Sequence, residues 1–249
     1  VQISEPGVAT LPTSEEAVQS RKLRNQRIGL IAGILITLGA IIAAFTWFGT
    51  GSAATDSTKY AGVAISEDDS SITVGPSNAP VKIVVYEDFG CAYCALLEQS
   101  TYDFLQQNAA KGKVQVDYRP ISAIPDPAYP AAALNSWAAV LKHGTPAAAL
   151  KLHNLLFANW TQVASGGKVA ADVEQATIEK LVREAGGDNA SVRAAMEAQD
   201  NTFLTVAAKA AAADGVSSAP TVLINGTKIE GQDVYQLVTT IEDRVAAGS

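Results

Sequence analysis

The chain has 249 residues, 48% of them hydrophobic and 17% charged, which is enough apolar material for one ordinary domain plus an appendage and excludes a chain disordered throughout. A net charge of −7 with a pI near 4.9 argues against a dedicated nucleic-acid binder. Its two cysteines cannot build a four-cysteine zinc site or a multi-disulfide scaffold, so any cysteine chemistry rests on one pair.

Residues 1–27 form a polar tail, with Pro6, Pro12 and scattered acids, that would not fold alone. Ile28 to Phe48 then reads IGLIAGILITLGAIIAAFTWF, uncharged throughout. At the helical rise it spans roughly 30 Å, the thickness of a bilayer's hydrocarbon core, and it is expected to be a transmembrane helix. Arg21, Lys22, Arg24 and Arg27 precede it, while Lys59 is the next base after it, an asymmetry that places the N-terminus in the cytoplasm and the remainder outside. A cleavable signal peptide ending near Ser52-Ala53-Ala54 is the competing reading, although the run exceeds the length of an ordinary signal core. Gly29, Gly33, Thr37, Ala40 and Ala44 form a small-residue stripe on which another membrane helix could dock. The expected partners of this region are the lipid bilayer and a membrane complex reached through the helix and the N-terminal tail.

Residues 49–71, rich in Gly, Ser, Thr and Asp, read as a flexible tether, with the folded domain starting at Ile72. Val81 to Tyr86 is a short β-branched run, the signature of a buried strand. A helix is expected from Ala92 to Ala109, closed by Lys111-Gly112, and a second strand from Val114 to Tyr118, ended by Pro120. Residues 128–215 read as an Ala-rich helical block of three or four helices, broken at 143–146, 165–167 and 186–187. Strands 221–224 and 228–230 flank Asn225-Gly226, a strong hairpin signal, and a helix closes the chain over 233–247. The order predicts a mixed α/β domain with a helical insertion.

Cys91-Ala92-Tyr93-Cys94 falls where the first strand turns into a helix. Cys91 is thereby placed at the helix N-terminus, where unpaired N–H groups favour a thiolate, and Cys94 lies about one turn further on. Attack by Cys91 on a disulfide gives a mixed disulfide that Cys94 resolves, and the reverse sequence donates the disulfide. A structural staple is the poorer reading, since so short a loop removes little denatured-state entropy. Zinc is poorer still: the remaining donors, His143 and His153, lack ligand spacing and read as surface or helix-packing residues. No metal and no cofactor beyond the Cys91–Cys94 disulfide are expected. Trp137, Phe157 and Trp160 are expected to pack the helical block, with a groove beside the cysteines as the alternative.

IVVYEDFGCAYC, followed far downstream by SSAPTVLING, resembles the DsbA-like branch of the thioredoxin superfamily. The resemblance covers residues 72–247 and implies a thioredoxin-like fold with the helical block inserted. It implies thiol:disulfide exchange with protein substrates through the catalytic pair Cys91 and Cys94, with Ala219, Pro220 and Tyr93 at the substrate-binding surface. It further implies a cis Ala219-Pro220 bond that sets the Ala219 backbone beside Cys91. The sequence departs from the family pattern at two places. Ala-Tyr stands between the cysteines where strongly oxidising members carry Pro-His, and Val85 stands where many relatives carry a buried acid. Glu87 and Asp88 are the candidate proton acceptors for Cys94, the alternative being solvated acids at a strand end. The rival to an oxidoreductase is an accessory or assembly subunit of a membrane complex, respiratory for example, with the thioredoxin-like domain as scaffold.

Overall fold

The computed structural model describes residues 65–123, 128–166, 171–199, 202–229, 231 and 233–249. The expected transmembrane helix at 28–48, its flanking tail and the first part of the tether lie outside these residues. Among the described residues no helix is long and apolar enough to cross a membrane.

Among the described residues six strands form one sheet in the order β1-β2-β4-β3-β5-β6. They are β1 (Ile65–Glu67), β2 (Ile72–Val74), β3 (Val81–Glu87), β4 (Val114–Pro120), β5 (Thr221–Ile224) and β6 (Thr227–Lys228). β3 and β4 pair in parallel, Val81 opposite Val114 and Glu87 opposite Pro120, and every other pairing is antiparallel. A parallel pair needs a long crossover, and α1 (Ala92–Ala110) supplies it. β3 is therefore central, with β4 on one side and β5 on the other, and its C-terminal end delivers the chain to the cysteines.

The domain starts earlier than the sequence reading placed it. β1 pairs with β2 through Ile65↔Val74 and Glu67↔Ile72, and Ser70 and Ser71 are buried, so residues 65–71 belong to the fold and not to the tether. Their linker-like composition is turn chemistry: the Asp68 carboxylate accepts a hydrogen bond from the Ser70 N–H at 2.7 Å, closing the hairpin. β4 likewise runs through Pro120, because the next N–H, that of Ile121, donates to the Glu87 carbonyl at 2.7 Å. The last hairpin turns at Asn225 and Gly226, both at positive φ (50° and 79°), the backbone that a two-residue turn of matching twist requires. This puts β6 at Thr227–Lys228, a residue earlier than expected.

Among the described residues the insertion holds five helices rather than three or four: α2 (Ala128–His143), α3 (Pro146–Gly166), α4 (Ala171–Ala185), α5 (Ala190–Ala198) and α6 (Thr202–Ala213). The extra break follows Gln199, which takes the left-handed conformation (φ 48°) that glycine normally supplies, so no glycine signals it in the sequence. α7 (Val234–Ala247) closes the fold, capped by the Asp233 side chain accepting from the Gln236 N–H at 3.0 Å.

Alternation along β3 separates two apolar compartments. Ile83 and Val85 face the larger one, shared with α1, α7 and most of the insertion; Tyr86 faces the smaller, closed by Ala207 and Ala211 of α6 with Val216 and Leu223. In the larger compartment Phe89, two residues before Cys91, sets its ring 5.0 Å from Phe157 and 6.3 Å from Trp137. Trp137 is fully buried, its indole N–H donating to the Ala149 carbonyl at 3.0 Å. Trp137 and Phe157 thus pack the insertion, and through Phe89 the insertion grips the loop that carries the cysteines.

Candidate active site

Cys91 is the N-cap of α1, with extended backbone (φ −91°, ψ 115°) and a sulfur that accepts from the Cys94 N–H at 3.4 Å. A sulfur here does the work of the oxygen that usually caps a helix. Its thiol is pulled down from 9.0 to about 7, chiefly by a hydrogen bond from the Cys94 side chain. The N–H groups of Cys94 and Tyr93 add to this, while burial and the Asp88 charge oppose it. Cys94 moves the other way: burial, then the hydrogen bond and charge of Cys91, push its thiol well above the ordinary value. Both cysteines are free thiols, Cys91 7% exposed and Cys94 1%. One sulfur is a nucleophile near neutral pH and the other a protonated, sheltered partner one turn away, the arrangement that disulfide exchange requires.

The Ala219-Pro220 peptide is cis. The Cys91 thiol donates to the Ala219 carbonyl across 3.6 Å, so two segments 128 positions apart in sequence meet at the sulfur. Tyr93, between the cysteines, is 59% exposed, and its ring stands in solvent beside them.

Glu87 and Asp88 are both 1% exposed, which overturns the alternative of solvated acids at a strand end. They face different ways. Asp88 holds the loop: its two carboxylate oxygens accept from the N–H of Gly90 at 2.7 Å and of Ala123 at 2.8 Å, and its carbonyl accepts from Cys91 at 2.9 Å. Glu87 points into the larger compartment, where Oε1 meets Nε2 of His153, and its charge acts on Cys94. Gly90 has no room for a side chain, because a Cβ there would lie 2.2 Å from the Pro130 ring of α2.

His153 and Glu98 belong to this neighbourhood, a placement that spacing alone did not reveal. His153 is fully buried, with Nδ1 2.9 Å from the Asn154 side-chain oxygen and 3.6 Å from Glu98 Oε1. Glu98, on α1, is 6% exposed, and its Oε1 has no hydrogen-bond partner among the described residues. Burial raises its carboxyl from 4.5 to about 8, the His153 charge opposing and Glu87 reinforcing the shift. Burial depresses the His153 imidazole, yet the charges of Glu87 and Glu98 prevail and raise it to about 9. Both imidazole nitrogens are thus engaged, Nε2 by Glu87 and Nδ1 by Asn154, and Glu98, 3.6 Å from Nδ1, completes a buried charge cluster. One signal was available: His153 and Asn154 interrupt the apolar run from Ala148 to Phe157, all of it buried but for Lys151. His143, by contrast, is exposed at the end of α2, far from this chemistry in role, its carbonyl accepting from Asn189 at 3.0 Å.

The thioredoxin family profile matches residues 67–243. The chain belongs to the thioredoxin family. Among solved structures it is similar to DsbA from Mycobacterium tuberculosis in reduced form, with 27% identity, a TM-score of 0.53, and coverage of 70% of this chain and 90% of that one. It is also similar to the reduced disulfide bond oxidoreductase DsbG of the same organism, with 26% identity, a TM-score of 0.54, and coverage of 70% and 85%. The fold is shared with the MdbA thiol-disulfide oxidoreductase of Corynebacterium diphtheriae at 21% identity and a TM-score of 0.56, over 75% of this chain and 93% of that one. No curated protein sequence matches the chain. Within the thioredoxin family the DsbA-like resemblance carried by two motifs therefore extends over the whole described domain.

Proposed function

We propose that the chain is a membrane-anchored, extracytoplasmic thiol:disulfide oxidoreductase that exchanges disulfides with protein substrates. The observation that carries the reading is the unequal dithiol: Cys91, drawn down to about 7, beside Cys94, pushed up by burial, with the Ala219 carbonyl 3.6 Å from the reactive sulfur. The Cys91 thiolate attacks a substrate disulfide, forming a mixed disulfide and releasing one substrate thiolate. Cys94 then gives up its proton and attacks the Cys91 sulfur, so that the Cys91–Cys94 bond forms and the second substrate sulfur leaves as thiolate. The substrate gains two electrons and the dithiol loses them; the reverse sequence installs a disulfide in a substrate. Ala219 offers backbone groups for an extended substrate, Pro220 shapes the wall and Tyr93 supplies an exposed ring. Glu87 is the proton acceptor for Cys94, and no cofactor beyond the cysteine pair is needed.

The uncharged run at 28–48 and the basic residues before it support anchoring with the N-terminus in the cytoplasm. Carbonate extraction, with protease protection of the C-terminal domain, tests the location. For the activity, the full chain in detergent, reduced and mixed with a peptide disulfide, is expected to form the Cys91–Cys94 bond, and Cys94→Ala to accumulate a mixed disulfide on Cys91. A Cys94→Ala protein that forms no adduct would overturn the reading.

A further inference from the structure

His153 comes from the helical insertion, 62 positions beyond Cys91 in sequence, yet it ends fully buried against Glu87, four residues before Cys91. Every element around it presents a polar or titratable group. β3 presents Glu87 at Nε2, α1 presents Glu98 at 3.6 Å from Nδ1, and α3 itself presents the Asn154 oxygen at 2.9 Å. β4 presents Tyr118, its ring 4.8 Å from the imidazole, and Phe89 and Phe157 close the remaining sides at 5.9 and 5.1 Å. Tyr102 of α1 acts on Tyr118, whose hydroxyl is held protonated by burial. Two acids and one imidazole sealed from water are costly unless their charges balance, and removing one partner leaves an uncompensated buried charge. The resolving half-reaction disturbs this balance, since a negative charge forms on the Cys94 sulfur, on which the Glu87 charge acts.

We propose that His153 is a positioning residue for the resolving step: it fixes the Glu87 carboxylate that receives the Cys94 proton and, with Glu98, sets the charge of the pocket in which that proton moves. This rests on the assignment of Glu87 as proton acceptor in the reading above. Only a proton changes hands here, from the Cys94 sulfur to Glu87, and the sulfur bonds form and break as already described. With His153 protonated and Glu98 neutral, the cluster carries one positive and one negative charge and accepts a proton on Glu87 without building up negative charge. Once Glu98 ionises, near 8, the cluster gains a negative charge and the balance at Cys94 shifts.

Coupling of this kind is reciprocal: if the cluster governs the proton on Cys94, the state of the cysteines must alter the titration of His153. The chain has two histidines, His143 exposed and His153 buried, so their imidazole resonances separate readily. In the full chain labelled at histidine, in detergent, His153 is expected to titrate near 9 in the dithiol and at a different midpoint in the disulfide. Identical His153 titrations in the two states overturn the proposal, and this measurement needs no substitution. Rapid-quench measurement of the two steps with oxidised glutathione supplies the second arm. His153→Gln is expected to slow resolution about tenfold at neutral pH, the equivalent of one pKa unit, leaving the attack by Cys91 unchanged. Glu98→Gln is expected to remove the inflection near 8 from the resolution profile. Glu87→Gln separates the two claims. Slow resolution there with unchanged His153→Gln and Glu98→Gln rates overturns the role of His153 alone, while unchanged resolution in Glu87→Gln overturns Glu87 as acceptor.

Discussion

Asp88 and Ala123 are joined by a 2.8 Å hydrogen bond from backbone N–H to carboxylate, which ties the approach to Cys91 to the segment leaving β4. Its second oxygen takes the Gly90 N–H, so both acceptors of one buried carboxylate are spent on backbone donors. Asp88→Asn offers an oxygen to one of these and an NH₂ group to the other, leaving a buried donor facing a donor. Stability should fall by about 1–3 kcal/mol. The same change removes the charge that disfavours the Cys91 thiolate. Denaturant unfolding and iodoacetamide kinetics should therefore move in opposite senses: a weaker fold with a more acidic Cys91. A thiol that becomes less acidic would contradict this account.

Gly90→Ala places a methyl 2.2 Å from the Pro130 ring, which cannot swing aside as a flexible chain end would. Either α2 or the cysteine loop must shift, at a cost of about 1–3 kcal/mol for overpacking. The expected signature is a lower denaturation midpoint accompanied by slower alkylation of Cys91, as its sulfur leaves the N–H groups that cap on it.

Cys94→Ala removes the donor that does most to acidify Cys91. The midpoint of the alkylation rate against pH, expected near 7 in the parent protein, should rise toward the ordinary value of 9.0. An unchanged midpoint would assign the effect to the helix N-terminus alone.

Stability against pH should differ between redox states. Glu98 is raised from 4.5 to about 8 and His153 from 6.5 to about 9, so the folded state holds protons that the unfolded state has lost, and both contributions decline as pH rises across those windows. Cys91, lowered from 9.0 to about 7, works oppositely in the dithiol, because the folded thiolate adds stability as pH rises through 7 to 9. In the disulfide that contribution is absent. Urea midpoints should thus fall more steeply between about pH 7 and 9 in the oxidised protein than in the reduced one, Cys94 acting only above this window.

The strand at Val81, the crossover helix, the Asn225-Gly226 hairpin and the closing helix were legible because each carries local signals: β-branched residues, a glycine stop, a turn pair and an aspartate cap. β1 was hidden because Asp68 and its serines are the same residues a linker would use. The break at Gln199 was hidden because a glutamine, not a glycine, takes the left-handed backbone there. At the site, Cys91, Cys94 and the Ala219-Pro220 pair could be placed by motif. The inward turn of Glu87 toward His153 could not, since it joins residues 66 positions apart, and the polar interruption at His153 and Asn154 marks a buried polar group without naming its partner.

The sheet also acts as a partition. Both cysteines lie in the same apolar compartment as Trp137, with Phe89 in contact with that indole, whereas Tyr86 and Leu223 lie on the far side. Closing a sulfur–sulfur bond draws the two side chains together and redistributes volume where packing leaves little slack. The indole is consequently a resident optical probe of the dithiol: oxidation should change its emission, while the aromatic ring behind the sheet goes on reporting an undisturbed surface.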